Sequence, residues 1–514
     1  MAARTPPARA GRREWLGLGV IALPCVLYSM DLTVLNLAIP RLTADLRPSS
    51  AQLLWIVDIY GFLVAGSLIT MGTLGDRIGR RRLLLLGAGA FGVASVLAAF
   101  SSSAEMLIVT RALLGVAGAT LAPSTLSLIR SMFLDPQQRT VAIGIWVTSY
   151  SVGAAVGPLL GGVVLEYFWW GAVFLLGVPV MALLLAVGPS LLPEFRDPRA
   201  GRLDLPSAAL SLGAVLSTIY GLKRVAESGA TALALGAIVL GAALGVVFVR
   251  RQRRLADPLI DLGLFRAPAF SAALATYLIA CFVGFGAYVF IAQYLQLVLG
   301  LSPLQAGLWT LPSMLSYVVA ALIVPPLTSR VRPAPLMAGG LVLAAIGFAA
   351  LALVDAEAGL AVLVVGSVLY SLGLSPVVIL ATDLVVGSAP AERAGAASAI
   401  SETSAELGGA LGIALLGSVG TAVYRRAMTG AVPPGVPADS ADAARATLGG
   451  AVATADSLPP ALSAALLDPA REAFVQGLQL GVLACGVLVL ATALLAWRQL
   501  RGGGAAAVLE EKTG

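Results

Sequence analysis

The chain has 514 residues, of which 58% are hydrophobic and 12% are charged, and its mean hydropathy is +0.92. This composition excludes an ordinary soluble globular protein and predicts an all-α polytopic membrane protein. The net charge of +6 does not indicate a nucleic-acid partner, because the arginines lie between apolar runs.

Histidine is absent, so any side chain that exchanges protons near neutral pH would have to be a carboxylate. The three cysteines, Cys25, Cys281 and Cys485, lie inside apolar runs without metal-binding spacing, so we predict no metal site. The sequence contains neither a phosphate-binding loop of the Walker type nor a nucleophile–base set. We therefore predict neither an ATP-driven pump nor an enzyme.

Apolar runs long enough to cross a bilayer occur fourteen times along the chain. They cover about residues 16–39, 52–74, 83–101, 105–129, 140–164, 171–192, 205–222, 231–249, 269–296, 304–326, 335–354, 359–382, 395–422 and 474–497. With both termini in the cytoplasm, lysine and arginine are about three times as frequent inside as outside, which favours that orientation. The predicted location is the inner membrane of a bacterium.

The first six and the last six runs predict two six-helix bundles, and the two central runs predict an inserted hairpin. The predicted segments are a cytoplasmic tail at 1–14, a first bundle at 15–195, an insertion with its connector at 196–266, a second bundle at 267–500 and a cytoplasmic tail at 501–514. The central runs carry no charge, so we expect the hairpin to lie outside the transport pathway. Residues 423–472 predict an external helical hairpin, with a mobile linker as the alternative.

Asp31 interrupts the first apolar run, in the stretch MDLTVLNLAIP (30–40). A carboxylate at the centre of a bilayer costs about 2.5–3.5 kcal/mol, so it needs a partner or a function. At the rise of an α-helix, Asp31, Asp58 and Arg111 all lie roughly 9–12 Å from the outer ends of their spans. We expect Arg111 to pair with Asp31 or Asp58 as a proton-coupled switch, with a purely structural ion pair as the alternative.

The loop between the second and third runs reads GTLGDRIGRRRLLLLG (72–87) and is called the loop motif below. Its small residues permit close helix approach, and its acidic residue among basic ones can form a latch that breaks when domains move. The motif residues are Gly72, Gly75, Asp76, Arg77, Gly79, Arg80 and Arg81.

The fifth run contains SVGAAVGPLLGG (151–162), called the glycine motif below. Gly153, Gly157 and Gly161 recur every four residues, so they predict a flat face that another helix can approach closely. Pro158 permits a kink, and Gly162 ends the motif. Generic glycine packing is the alternative interpretation.

Two acidic residues four positions apart lie in the thirteenth run, SAISETSAEL (398–407). Glu402 and Glu406, called the carboxylate pair below, share one helix face near mid-membrane and would resist ionising together. Asp383, at the inner end of the twelfth run, is expected to contact the cytoplasmic loop. Weaker candidates for an aromatic cavity that binds cations are Trp55, Tyr60, Tyr150, Phe285 and Tyr288.

These segments resemble signatures of the major facilitator superfamily. The loop motif is similar to its G-x-L-a-D-r-x-G-r-k/r signature, and the glycine motif resembles the G-x-x-x-G-P-x-x-G-G antiporter signature. RALLGVAGATLAP (111–123) resembles the fourth-span motif, in which the arginine is tied to proton transfer. With its fourteen runs, the chain resembles the fourteen-span drug:proton antiporters, and within them the QacA, LfrA and SmvA type of multidrug pump.

The resemblance implies a proton-coupled efflux antiporter that exports lipophilic or quaternary ammonium cations by alternating access. It also implies that the carboxylate pair binds cations or protons. Such a pump would be driven by the proton-motive force without a cofactor, and its partners would be small cations, protons and lipid; we expect a monomer. The alternatives are an exporter of an uncharged or anionic natural product, and a non-transporting membrane sensor.

Overall fold

The computed structural model describes residues 9–48, 50–196, 204–255, 258–328, 330–356 and 359–513. All the regular elements in these ranges are helical, which confirms the all-α prediction. Residues 1–8 of the predicted N-terminal tail, 197–203 and 256–257 of the predicted insertion, and Gly514 lie outside the described residues.

The first eight helices belong to the first part of the chain. They are α1 (Arg12–Leu46), α2 (Ser50–Ile78), α3 (Arg80–Ala99), α4 (Ala104–Gly118), α5 (Leu121–Met132), α6 (Pro136–Tyr167), α7 (Ala172–Leu175) and α8 (Gly177–Leu191). Polar caps set some of these boundaries: the Ser103 hydroxyl accepts a hydrogen bond from an amide at the start of α4, and the Asp135 carboxylate does so at α6.

The remaining helices follow in chain order. They are α9 (Leu205–Ser228), α10 (Ala232–Gln252), α11 (Pro268–Gln293), α12 (Pro303–Thr328), α13 (Pro333–Leu351), α14 (Leu360–Ser388), α15 (Ala394–Met428), α16 (Ala438–Ala446), α17 (Leu448–Ala455) and α18 (Pro460–Thr513). Prolines begin several of them, because the first turn of a helix leaves its amides free and proline lacks one.

Thirteen segments among the described residues are long and apolar enough to cross a membrane. They match thirteen of the fourteen predicted runs, which confirms the multi-span architecture. The remaining run, 140–164, lies in α6, a helix of 32 residues. The count of fourteen spans stays a prediction.

The long helices form two sets that follow the chain. In the first, α1 packs on α6 and α8, α2 on α4, and α3 on α4 and α8; in the second, α13 packs on α14 and α18, and α11 on α14 and α15. Contacts between the sets are made by α2 with α15, α5 with α15 and α6 with α12. We call the sets the first and second bundle, and the end that carries the loop motif the motif end.

The segment 423–472 differs in detail from the predicted hairpin. Its first half forms two short helices, α16 and α17, that pack on each other. The helix breaks between them because Thr447 is extended and its hydroxyl caps α17. Its second half has no break before the last apolar run, so it is the beginning of the 54-residue helix α18. The Tyr424 hydroxyl, in α15, donates to the carbonyl of Ala444 at 2.8 Å and ties α16 to the second bundle.

Candidate functional site

Arg111 and Asp31 form an ion pair between α4 and α1, with Nη1 to Oδ2 at 2.9 Å. The Arg111 side chain is 1% exposed and that of Asp31 is 15% exposed. Arg111 Nε also donates to the carbonyl of Ile56 at 2.8 Å, and the guanidinium lies over the Tyr60 ring, 5.0 Å from its centre. The depths read from the sequence predicted Asp31 or Asp58 as the partner, and the structure selects Asp31.

Asp58 instead pairs with Lys223, which lies in α9 of the inserted hairpin. The sequence did not reveal this contact, because Lys223 is one residue past the apolar run that predicted the helix. One side chain of the hairpin therefore contacts a candidate site residue, and the exclusion of the hairpin from the transport pathway stays a prediction.

The carboxylate pair lies on α15 and faces the first bundle. Tyr28, in α1, donates its hydroxyl to Glu406 Oε1 at 2.8 Å. Glu402 Oε1 is buried and has no hydrogen-bond partner among the described residues. The pair therefore combines one carboxylate held from the opposite bundle with one that has a free oxygen.

Aromatic rings surround the contact between the bundles. The Tyr28 ring centre lies 6.0 Å from that of Tyr60 and 5.6 Å from that of Tyr150, and Trp146 packs edge-on against Tyr150 at 4.9 Å. Tyr60 and Tyr150 were expected from the sequence, whereas Tyr28 was not. Its position three residues before Asp31, on the same helix face, is the signal that could have identified it.

The other aromatic candidates lie apart from this cluster. Trp55 packs edge-on against Phe62 at 6.2 Å, on the side of α2 that faces α9. Phe285 and Tyr288, in α11, are 54% and 46% exposed, and Phe285 lies over Gly409 of α15. The structure thus places two of the five candidates, Tyr60 and Tyr150, beside the carboxylate pair's tyrosine partner.

A small cavity adjoins Asp31 on the side of α1 that faces α3 and α8. Its volume is about 20 Å³, and its lining includes Met30, Asp31, Phe91, Ser95 and Phe174. A site of this size with a carboxylate and a hydroxyl can hold about one water molecule. Asp31 is therefore placed between an arginine and a potential water position.

The loop motif joins the two bundles at the motif end. Asp76 accepts hydrogen bonds from the amides of Gly395 and Ala396, both at 3.0 Å, and from Arg80 Nε at 3.0 Å. These amides belong to the first turn of α15, so Asp76 of one bundle caps a helix of the other. A Cβ on Gly72 would lie 2.5 Å from the Gly395 carbonyl oxygen, so glycine is needed for this close approach.

The remaining motif residues hold the loop within the first bundle. Arg81 donates to the carbonyls of Pro189 and Leu192, both at 3.0 Å, and lies 3.6 Å from a carboxylate oxygen of Glu194. Gly79 adopts φ 111°, a conformation that disfavours other residues, and separates α2 from α3. Gly75 and Arg77 lie in the last turns of α2.

A second polar contact crosses between the bundles at the same end. Arg139 Nε, in α6, donates to Asp383 Oδ1 at 2.6 Å, and the Thr140 hydroxyl donates to Oδ2 at 2.8 Å. Arg130, in α5, donates to the carbonyls of Val386 and Gly387 in α14. Asp383, expected to contact the cytoplasmic loop, is therefore bound by the start of α6.

The glycine motif serves packing within the first bundle. A Cβ on Gly153 would lie 2.2 Å from the carbonyl oxygen of Val26, and one on Gly161 would lie 2.7 Å from Val34. Both contacts are with α1, the helix that carries Asp31. Gly157 is buried, Gly162 has no neighbour within 4 Å of such a Cβ, and the side chain of Pro158 lies outside the described residues.

No group of three or more cysteine, aspartate or glutamate side chains in the described part of the chain could hold a metal ion. The structure thus presents two helical bundles joined at one end, with buried charges between and within them. This arrangement is typical of a membrane transporter rather than an enzyme.

Comparison with known proteins identifies the family. Residues 21–413 match the family model of the Major Facilitator Superfamily. The chain therefore belongs to the major facilitator superfamily, whose members are transporters.

Curated relatives cover almost the whole chain. It is 45% identical over 485 residues to the multidrug efflux pump LfrA of Mycolicibacterium smegmatis, covering 94% of this chain and 96% of the relative. It is 36% identical to the methyl viologen resistance protein SmvA of Salmonella typhimurium, with coverages of 95% and 98%. It is 32% identical to the tetracenomycin C resistance and export protein of Streptomyces glaucescens, with coverages of 96% and 93%.

Solved structures show the same fold. The crystal structure of the human organic anion transporter MFSD10 superposes with a TM-score of 0.60 at 16% identity, covering 94% of this chain and 99% of that one. At this identity the similarity concerns the fold alone.

Proposed function

We propose that this protein is a proton-coupled multidrug efflux antiporter that exports lipophilic or quaternary ammonium cations by alternating access. The observation that carries the proposal is the carboxylate pair at the contact between the bundles. Glu402 has a buried oxygen without a hydrogen-bond partner among the described residues, and Glu406 is held by Tyr28 of the opposite bundle. A buried carboxylate without a partner is expensive unless a proton or a cation binds it for part of the cycle.

The rings around Tyr28 support a cationic substrate. An organic cation binds best where a carboxylate supplies charge and aromatic faces supply apolar contact. Tyr60 and Tyr150 lie within 6.0 Å of Tyr28, ring centre to ring centre, so both kinds of group are present. In this proposal, protons and cations compete for Glu402. The hydrogen bond from Tyr28 to Glu406 then transmits a change at the carboxylate pair to the first bundle.

The pair of Asp31 and Arg111 is the proposed coupling element. When Asp31 binds a proton from the adjacent cavity, its attraction to Arg111 falls. Arg111 is then held mainly by the carbonyl of Ile56 and the Tyr60 ring. Because Tyr60 also packs on Tyr28, and Tyr28 donates to Glu406, this change at Arg111 reaches the carboxylate pair through three successive contacts.

The contacts at the motif end are the proposed gate. Asp76 on α15 and Asp383 on Arg139 hold the bundles together there, so both contacts have to open in the other half of the cycle. We place this end in the cytoplasm, with both termini inside, fourteen spans in a bacterial inner membrane, and a monomer as the working unit. The proton-motive force drives transport, and no cofactor or nucleic acid takes part.

The named relatives support this substrate class. One is described as a multidrug efflux pump and another as a methyl viologen resistance protein. Methyl viologen carries quaternary nitrogens, so the second description agrees with a group of carboxylates and aromatic rings as the cation site.

A second candidate function is export of an uncharged or anionic natural product. The relative described as a tetracenomycin C resistance and export protein favours it. In that case the fold and gate would be the same, and Glu402 would serve proton coupling without binding the substrate.

Transport into inverted membrane vesicles tests the proposal. With an acidic lumen, the wild-type protein is expected to accumulate tetraphenylphosphonium, and Glu402→Gln is expected to lose at least about tenfold of the rate. Glu166→Gln, at an exposed position of α6, is the matched control and should transport normally. If the wild type accumulates no cation from a panel but accumulates an uncharged antibiotic, the second function replaces the first.

A further inference from the structure

The inserted helix α9 lies over the junction between the two bundles. It packs on α2 of the first bundle and on α15 of the second. Phe62 and Ala65 of α2 and Ile219 of α9 form an apolar cluster, against which Ala410 of α15 also packs. Side chains at the end of α9 therefore lie close to both bundles, although the helix is an insertion between them.

Lys223 places its ammonium group against α2. It pairs with Asp58 and lies over the Phe62 ring, 4.8 Å from the ring centre. Trp55 and Tyr220 pack edge-on against Phe62 from two sides, with ring centres 6.2 and 6.5 Å away. The ammonium is thus held by one carboxylate and one aromatic face at the edge of a three-ring cluster.

Carboxylates and aromatic faces are also the groups that bind organic cations. The Lys223 side chain is 40% exposed and Asp58 is 14% exposed, so the pair is reachable from outside the helices. The neighbouring Arg224 instead turns toward Tyr220 of its own helix, with its guanidinium 5.6 Å from the ring centre. Of the two basic residues at this end of α9, Lys223 is therefore the one that contacts Asp58 and Phe62 of α2.

We propose that Asp58, Phe62, Trp55 and Tyr220 form a second cation-binding site, which Lys223 occupies as a tethered cation and from which a lipophilic monocation displaces it. A lysine ammonium is strongly hydrated, whereas a lipophilic cation is weakly hydrated and has more apolar surface. When a lipophilic cation replaces Lys223, the lysine ammonium returns to water and the apolar surface of the cation covers the aromatic rings.

This inference rests on the proposed function only for the charge of the substrate. The competition between Lys223 and an added cation for Asp58 is a binding property, so it can be measured without transport. The suitable measurement is equilibrium binding of tetraphenylphosphonium to the purified full-length protein in lipid nanodiscs.

Removal of the tethered cation should open the site. Lys223→Met is expected to bind tetraphenylphosphonium about tenfold more tightly than the wild type, or to bind one additional equivalent. Arg250→Met, which removes the same charge from an exposed position at the other end of the hairpin, should bind like the wild type. The double variant Lys223→Met with Asp58→Asn should lose the gain, because the carboxylate that holds the cation is gone.

Chemical restoration of the positive charge at position 223 allows binding with and without that charge to be compared in a single protein preparation. Lys223→Cys should show the gain, and alkylation with 2-bromoethylamine, which forms a thioether analogue of lysine, should abolish it. The native cysteines Cys25, Cys281 and Cys485 are buried, so the reagent is directed to the new thiol. This variant also serves if the methionine variant does not fold.

Equal affinity in the wild type and in Lys223→Cys before alkylation would overturn the site, as would a gain that persists without Asp58. The proposed function is tested separately by wild-type transport and by Glu402→Gln. A pump that transports cations without the Lys223 effect retains the function and refutes the second site. A protein that transports no cation but shows the Asp58-dependent gain retains the site and refutes the function.

Discussion

Arg111 carries its charge at a position almost without access to water, and Asp31 is its ion-pair partner. Removal of one member of a buried pair leaves the other charge uncompensated and costs about 3–5 kcal/mol. Asp31→Asn is therefore expected to lower the thermal stability of the purified protein strongly. Arg111→Met with Asp31→Asn should recover part of the loss. Thermal unfolding of Asp31→Asn, Arg111→Met and the double variant checks this.

Additive losses in the double variant would contradict a direct interaction. A matched control is Arg445→Met, since the Arg445 pair with Asp442 is exposed and lies outside both bundles. Exposed pairs contribute about 0–1 kcal/mol, so this control should change stability little.

Tyr28 makes the hydrogen bond between the bundles that reaches the carboxylate pair. A hydrogen bond to a charged group contributes about 1.5–3 kcal/mol, so Tyr28→Phe should slow cation transport about tenfold while the ring packing stays intact. Tyr370→Phe is the control, because Tyr370 stacks on Phe348 within the second bundle. Initial rates in vesicles measure the effect; equal rates for Tyr28→Phe and the wild type would show that this hydrogen bond plays no part.

At the scale of a helix, Asp76 acts as a cap that belongs to another bundle. Asp76→Ala leaves the amides of Gly395 and Ala396 in α15 without their acceptor and removes the ion pair with Arg80, at a cost of at least about 1 kcal/mol. We expect the motif end to open more often. Ser398→Cys, at a buried position beside Ser127, should then react with a thiol reagent about tenfold faster.

The control for this labelling is Glu194→Ala. Glu194 contacts Arg81 and the amides at the start of α3, all within the first bundle. In a protein that carries Glu194→Ala and Ser398→Cys, the cysteine should therefore be labelled at the same rate as in the protein that carries Ser398→Cys alone. Equal labelling in the Asp76 and Glu194 variants would mean that the cap does not hold the bundles together.

The inserted hairpin is fastened at its other end by Asp204, which lies just before α9. Arg251 of α10 donates two hydrogen bonds to its carboxylate, at 2.8 and 2.9 Å, and the Ser207 hydroxyl donates another. These hydrogen bonds, first those from Arg251, lower the pKa of Asp204 to about 2. A lowered pKa stabilises the folded state above the ordinary carboxyl pKa of about 3.9, and this contribution is lost as the pH falls toward 2.

Asp204 stays ionised from pH 8 to about pH 5. Its contribution to the protection of amides at the start of α9 from hydrogen exchange should therefore be constant over that range. Asp204→Asn should raise the exchange rate there throughout that range, because the neutral side chain accepts less strongly from Arg251. Exchange at the start of α11, remote from Asp204, is the internal control. A variant with wild-type exchange at both sites would contradict the role of this contact.

Some of these elements were predictable and others were not. The depth of each residue along a helix of known rise predicted that Arg111 pairs with Asp31 or Asp58, but it did not decide between them. The close helix approach at Gly72 and Gly153 followed from their small size. The partners Tyr28 and Lys223 did not, because each depends on how helices distant in sequence pack. The break at Thr447 depends on a single cap within an alanine-rich stretch, which periodicity does not detect.

At the scale of the whole molecule, charge determines what can drive transport. Exchange of one proton for one monovalent cation moves no net charge, so only the pH gradient contributes. A second proton would add the membrane potential, at about 2.3 kcal/mol per 100 mV. If the proposed coupling uses both acidic groups, Asp31 with Arg111 and the carboxylate pair, we expect two or more protons per cation.

That ratio is measurable as voltage dependence. In vesicles with no pH gradient, an inside-positive potential imposed with potassium and valinomycin should drive accumulation of a monovalent cation if two protons are exchanged. Asp31→Asn should abolish this response and leave exchange driven by the pH gradient. Accumulation that is insensitive to potential in the wild type would limit the exchange to one proton.

The most direct test of the central claim is proton release when the substrate binds. Purified protein in weakly buffered detergent solution is mixed with tetraphenylphosphonium, and the pH is followed with an indicator dye. The wild type is expected to release protons in a saturable manner, and Glu402→Gln is expected to release at least one fewer per chain, with Glu166→Gln unchanged. Saturable binding without proton release from the wild type would contradict competition between cations and protons for the carboxylate pair.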